Sequence, residues 1–141
     1  MTTVVRTTGQ FLVSLPDDSR GSVLNGMDLH RALLVGLNLS GAQFVNADLR
    51  NADLSRAQLV GANFTGARLM LARMLHSSAS RSTFAKASLR FANLTGCDLR
   101  DCDCTGADFS FCIMRGADLR GANLSGVVWN GADVADVRRD S

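Results

Sequence analysis

The stretch Ala47-Asp48-Leu49-Arg50-Asn51-Ala52-Asp53-Leu54-Ser55-Arg56-Ala57-Gln58-Leu59-Val60-Gly61 decides the fold. It holds three five-residue units, each with a small residue, a polar residue, a Leu and two more positions. Extended in both directions, the register places an apolar centre at every fifth residue from Leu24 to Val134. Of 23 centres, 17 are Leu or Phe and only Ala79 is small, so no break marks a change of architecture. A period of five matches neither a helix nor a flat strand. In an extended segment the small residue and the centre, two apart, point the same way and the polar residue between them points out. The remaining two residues must then turn the chain. Eleven of the 13 glycines fall two positions after a centre, where Asn46 and Asn51 join them. A type II turn with φ > 0 at its third residue demands this chemistry. By the same argument the corner residues Arg31, Arg56, Leu71, His76, Arg81, Lys86, Phe91, Asp101, Phe111 and Asp136 are expected to avoid φ > 0.

The units Ala47-Asp48-Leu49-Arg50-Asn51, Ala52-Asp53-Leu54-Ser55-Arg56 and Ala117-Asp118-Leu119-Arg120-Gly121 resemble the A(D/N)LXX motif of pentapeptide-repeat proteins. The resemblance covers residues 22–136. It implies an all-β fold, a right-handed quadrilateral parallel β-helix with four pentapeptides per coil. The chain then holds about five and a half coils and forms a rod on the order of 27 Å long. Folded on a 20-residue pitch, the sequence stacks Phe44, Phe64 and Phe84 in one interior column and Phe109 under Trp129 in another. These five aromatic residues are the expected structural core. Stacked coils make that core continuous, which a single coil could not do.

The expected domain plan is an N-terminal cap or arm over 1–21, the repeat over 22–136 and a short tail over 137–141. Val4-Val5 and Phe11-Leu12-Val13 flank Thr7-Thr8-Gly9-Gln10, the pattern of a hairpin or an irregular cap. Residues 68–91 lose the consensus but not the register. A drifted coil is the favoured reading there, with a bulging loop or binding surface, and a local helix from about Ala67 to Leu75, as alternatives.

Net charge is +2, all 13 acids are Asp, and the acids and the 14 arginines are interspersed. This balance gives no basis for direct nucleic-acid binding. The chain has no transmembrane run and a poor signal peptide, so the cytoplasm is the expected location and no membrane contact is expected. Cys97, Cys102, Cys104 and Cys112 fall at inward positions and lack a zinc-site spacing, so they read as core residues. His30 and His76 lie on different coils, and no nucleophile–base pair converges. The reading is therefore non-enzymatic, with no cofactor, no metal and no catalytic residue.

One surface feature stands out. Leu71, Phe91 and Phe111 share a corner column, with Met70, Leu75 and Ile113 at outward positions nearby. A contiguous apolar edge of this kind marks an interface, unless the rings lie flat and shield the backbone. The expected function is a protein–protein interaction or scaffold module on a rigid rod, with another protein as partner. A homodimer through an open C-terminal coil or through the apolar edge is allowed. The resemblance also supplies an alternative: a quinolone-resistance type protein that binds DNA gyrase (a topoisomerase) by DNA mimicry. The surface argues against it, because the Asp columns Asp28/Asp48 and Asp98/Asp118 are broken by Arg50, Arg100 and Arg120.

Overall fold

The computed structural model describes residues 2–5 and 12–140, with side chains from Leu15 onward. Two short strands, β1 (Thr2–Val5) and β2 (Leu12–Leu15), pair antiparallel with Val4 opposite Val13. The expected turn at Thr7–Gln10 lies outside the described residues. From Asp18 to Arg138 the chain is a solenoid of parallel bridges, each joining residues 20 apart, as in Asp28–Asp48 and Asp48–Arg68. Twenty residues are four five-residue units, so every unit lies beside the unit four further on.

The hydrogen bonds of one unit show why the period holds. The Asp48 amide donates to Met27 O on the preceding coil (2.9 Å). The Leu49 and Asn51 amides donate to Arg68 O (2.7 Å) and Met70 O (3.0 Å) on the following coil. The Ala52 amide closes the turn onto Leu49 O (3.0 Å). The fifth amide, that of Arg50, donates to the Asp48 carboxylate at 3.2 Å. This last bond explains the Asp or Asn of the motif. Facing outward, the side chain bends back as an Asx turn and satisfies an amide that the coil cannot. The same bond recurs from Ser55 to Asp53, Thr65 to Asn63, Thr95 to Asn93 and Thr105 to Asp103.

All centres from Leu24 to Leu119 are buried. Phe44, Phe64 and Phe84 stack with ring centroids 4.8 Å apart and planes within 4° of parallel. That spacing equals the separation of paired strands, so the backbone lattice sets the ring stack. Phe109 is buried beneath Trp129, with ring centroids 5.3 Å apart and planes tilted by 49°. Trp129 itself is only half-buried, as are Leu124 and Val127, because the last described coil has no coil above it.

The stretch 68–91 stays in the coil and forms neither a helix nor a bulge. Met74 and Ala79 occupy buried centres, and Arg73 and Ser78 keep their bridges to Asp53 and Gln58. Buried Ser77 and Ser82 bond to Met74 O and Ala79 O respectively.

The corners correct the sequence expectation. Every corner from Gly21 to Asp136 has positive φ, whatever its residue. Arg31, Arg56, Leu71, His76, Arg81, Lys86, Phe91, Asp101, Phe111 and Asp136, expected to avoid this region, lie between 56° and 63°. An L-residue there costs about 1–2 kcal/mol. The hydrogen bond that the same geometry allows, such as Leu71 N to Arg90 O (3.0 Å), offsets much of it. Any other conformation would throw the next unit off the lattice.

Two stability predictions follow from this packing. Phe64→Ala removes the middle ring of the stack and should lower unfolding free energy by about 3–5 kcal/mol. A loss under about 1 kcal/mol in chemical denaturation would show that the column does not carry the core. Lys86→Gly should raise stability by about 0.5–1 kcal/mol, because it relieves a left-handed L-residue at an exposed corner. A destabilisation of that size would show that the corners are unstrained.

Candidate functional site

The coil offers four flat sides, and one of them is unlike the rest. It runs from the corner column of Arg31, Asn51, Leu71, Phe91 and Phe111 to the corner column of Gly36, Arg56, His76 and Gly96. Its outward positions are Leu33/Val35, Asp53/Ser55, Arg73/Leu75, Asn93/Thr95 and Ile113/Arg115. Nine large apolar side chains are exposed among the described residues. Six of them lie on this side or its leading edge: Leu33, Val35, Leu71, Phe91, Phe111 and Ile113. Leu71 and Phe91 are each just over half exposed, at 53% and 52%. Met70 and Leu75 are half-buried beside them. Leu33 and Val35 were not among the expected edge residues. The 20-residue pitch places them on the same side as Leu75 and Ile113.

The edge is built in layers. Phe91 and Phe111 stack at 5.0 Å between centroids with planes 10° apart. The Arg90 guanidinium lies 5.6 Å from the Phe111 centroid and 5.8 Å from that of Phe91, within cation–π range. Arg90 also reaches Asp108 at 3.3 Å, and Ser110 in the same patch is fully buried although it holds an outward register position. Phe111 leans along the rod over Gly131, where a Cβ would come within 2.5 Å of the ring. The rings therefore cover the backbone corner and still present about half their surface to solvent.

The opposite rim is polar. His76 leans over Gly96, where a Cβ would lie 2.3 Å from its Nδ1, so the glycine makes room for the imidazole. Between the rims, Val35, Asp53, Ser55, Arg56, Arg73, Leu75 and His76 line a groove of about 340 Å³. Ser55 Oγ accepts from the Leu75 amide at 3.3 Å, and Arg73 Nε stands 3.7 Å from Asp53 Oδ2.

Several carboxylates on other sides are engaged by arginines. Arg50, Arg100 and Arg120 each fork onto the Asp two residues before, with Nη2–O distances of 2.7, 2.8 and 2.7 Å. Asp118 also has Arg100 at 3.9 Å and Arg138 at 3.8 Å. The Arg120 hydrogen bonds, with the charges of Arg120 and Arg138, draw its pKa down to about 2. Asp48 and Asp98 are lowered for the same reason, through Arg50 and Arg100.

The four cysteines are buried. Cys102 and Cys112 donate to Ala79 O (3.0 Å) and Leu89 O (2.7 Å), and Cys97 lies 3.1 Å from Ser77 Oγ. Loss of solvation pushes Cys97 and Cys112 up to about 12 and Cys102 to about 11, with Cys104 also raised. These thiols are protonated at neutral pH and act as small apolar residues. Among the described residues no three His, Cys or Asp side chains converge to hold a metal, and no helix is long and apolar enough to cross a membrane.

A period-five coil that displays side chains on flat sides is a repeat scaffold. The chain belongs to the pentapeptide repeat family, whose model matches residues 20–51, 38–75, 72–101 and 102–138. It is similar to HetL from the cyanobacterium Nostoc sp. strain PCC 7120, a pentapeptide repeat protein involved in heterocyst differentiation regulation. The identity is 26% and the TM-score 0.64, with 83% of this chain and 59% of HetL covered. The chain thus spans under two thirds of that relative's length. It also resembles Rfr23 from the cyanobacterium Cyanothece 51142 (21% identity, TM-score 0.48, 88% of this chain and 92% of that one). A third similar structure is trypsin-treated QnrB1, a plasmid-mediated fluoroquinolone resistance protein (21% identity, TM-score 0.46, 84% and 62%). No curated protein matches the chain.

Asp118 provides a test of the ion-pair ladder. Its folded pKa lies below the unfolded value of about 3.9. The stability it contributes is therefore present above about pH 4 and is lost as pH falls towards about 2. Asp118→Asn should be less stable than the parent at pH 7, and the gap should shrink below about pH 4 and close only below about pH 2 in denaturant titrations. A gap that does not change with pH would remove the carboxylate from the account.

Proposed function

We propose that this chain is a non-enzymatic interaction module: a right-handed, four-sided rod of about five and a half coils that offers one side to another protein. The observation that carries this reading is the gathering of six exposed large apolar side chains on the side edged by Leu71, Phe91 and Phe111. Apolar surface gathered on one side of a rigid support favours a partner that covers it. The layered Phe91–Phe111 pair gives such a partner an aromatic anchor that is ordered before binding. The gyrase-binding alternative draws no support from the surface. DNA mimicry needs unneutralised rows of carboxylates, and Asp48, Asp98 and Asp118 are each forked by an arginine.

The test is the double variant Phe91→Ser/Phe111→Ser, with folding checked by circular dichroism. In affinity capture from a native lysate, and in sizing of the purified chain, the variant should lose a partner or an oligomer that the wild type retains. Identical partners and identical size for both proteins would reduce the edge to a shield for the corner backbone. A response in a gyrase supercoiling assay that depends on Asp48, Asp98 and Asp118 would favour the alternative.

A further inference from the structure

Resting on that reading, we infer that the segment docking on this side is a peptide both acidic and apolar, laid across the face so that its carboxylates meet Arg56, Arg73 and His76 while its apolar side chains meet Leu71, Leu75 and Phe91. The charge distribution of the rod is the argument. Between Asp53 and Asp98 the sequence holds no acidic residue, yet it holds Arg56, Arg68, Arg73, Arg81, Lys86 and Arg90. In the coil this becomes a basic girdle around the middle of the rod. Of the girdle's members, Arg68, Arg73 and Arg90 reach Asp48, Asp53 and Asp108 at 4.0, 3.7 and 3.3 Å, while the two ends of the rod carry closer Asp–Arg forks such as Asp18–Arg20 and Asp118–Arg120.

The girdle crosses the apolar side at the groove of about 340 Å³. One unit, Leu71-Ala72-Arg73-Met74-Leu75-His76, supplies an apolar rim, a cation, an apolar floor and a polar rim in order, since Ala72 and Met74 point inward. Arg56 stands on the same polar rim one coil earlier. Neither Arg56 nor His76 forms an ion pair among the described residues, and Arg73 is only loosely engaged, at 3.7 Å from Asp53. Here apolar exposure and positive charge occupy the same few residues.

The stretch has also lost the Asx turns that occupy outward amides elsewhere. Position 68 is Arg, 73 Arg, 78 Ser and 88 Ser, where the motif has Asp or Asn. The amides of Met70, Ser80 and Arg90, two residues after positions 68, 78 and 88, have no carboxylate or carboxamide acceptor among the described residues. These three amides lie on the neighbouring sides, whereas on the docking side the Leu75 amide is bonded to Ser55 Oγ (3.3 Å), so an acidic ligand is drawn by the arginines of the groove and not by open amides. Polyanions such as nucleic acid fit less well. The girdle wraps the rod instead of lining one track.

The experiment pans a random twelve-residue displayed-peptide library over the immobilised full chain, then measures selected peptides by fluorescence anisotropy. The expected peptides pair Asp or Glu with Leu, Ile or Phe. Arg56→Asn/Arg73→Gln keeps corner-compatible chemistry at residue 56 and should weaken them by about tenfold or more, since charge-assisted bonds are lost. Arg20→Gln/Arg120→Gln, away from the groove, should leave the affinity unchanged. Three outcomes overturn the inference: no peptide is selected, the selected peptides lack acids, or the groove variant binds them undiminished. A single-stranded oligonucleotide that binds with the same arginine dependence, and displaces the peptides, also overturns it in favour of a general anion surface. Acid-free peptides that are lost on Phe91→Ser/Phe111→Ser would refute the charge argument alone and leave the protein-contact reading standing.

Discussion

The structure depends on one hydrogen bond repeated along its length, from the amide of each apolar centre between Leu24 and Leu119 to the carbonyl nineteen residues ahead. Leu49 to Arg68, Leu54 to Arg73 and Leu59 to Ser78 are each 2.7 Å. This bond locks the coil to a 20-residue pitch and fixes the rise between coils at the strand spacing. Two consequences are visible at once. Identical side chains one pitch apart must stack, which is why three phenylalanines lie nearly parallel at 4.8 Å. Every corner must also take the same backbone form, which is why Phe, Arg, His and Leu adopt the conformation that glycine adopts at the other corners.

That uniformity separates scaffold from surface. Inward positions are fully constrained, since a change of volume is felt along a whole column. Outward positions carry little structural demand beyond the Asx turn, and corners demand only the left-handed backbone form, so the chain can vary their side chains far more freely than its inward ones. Residues 68–91 show the separation. There the motif is lost from the outside, while Leu69, Met74, Ala79 and Phe84 remain buried in register. The part of the rod with least consensus is where charge and apolar exposure coincide, around Arg73, Leu75 and His76.

The fold was legible in the sequence because a period needs only the inward residues to declare itself. The register through Ala79, the ring column of Phe44, Phe64 and Phe84, and the inward cysteines could all be read from spacing. The corners could not. A left-handed Phe111 is disfavoured as an isolated residue, and only the coil-to-coil bond from its amide to Asn130 O, 2.7 Å long, makes that conformation worthwhile. The role of the motif's Asp was equally hidden, because the Asx turn is a property of the folded unit and leaves the outward polarity unchanged. At the surface, Leu71, Phe91 and Phe111 were found from their shared column. Leu33 and Val35 were missed because they stand two coils away from the next apolar residue on their side. The groove rim at Arg56 and His76 needed the side-chain directions, which a sequence does not carry.

The central claim is that coil-to-coil pairing, and not local preference, holds each unit in place. Residue-resolved amide hydrogen exchange tests it most directly. The account predicts slow exchange at Leu49, Leu54, Leu59, Phe64, Leu69 and Met74, including the stretch that has lost its consensus. It predicts fast exchange at Leu124, Gly126, Trp129 and Val134, whose amides meet no carbonyl of a further coil among the described residues. Equal protection along the whole chain, or fast exchange at Leu69 and Met74, would contradict it.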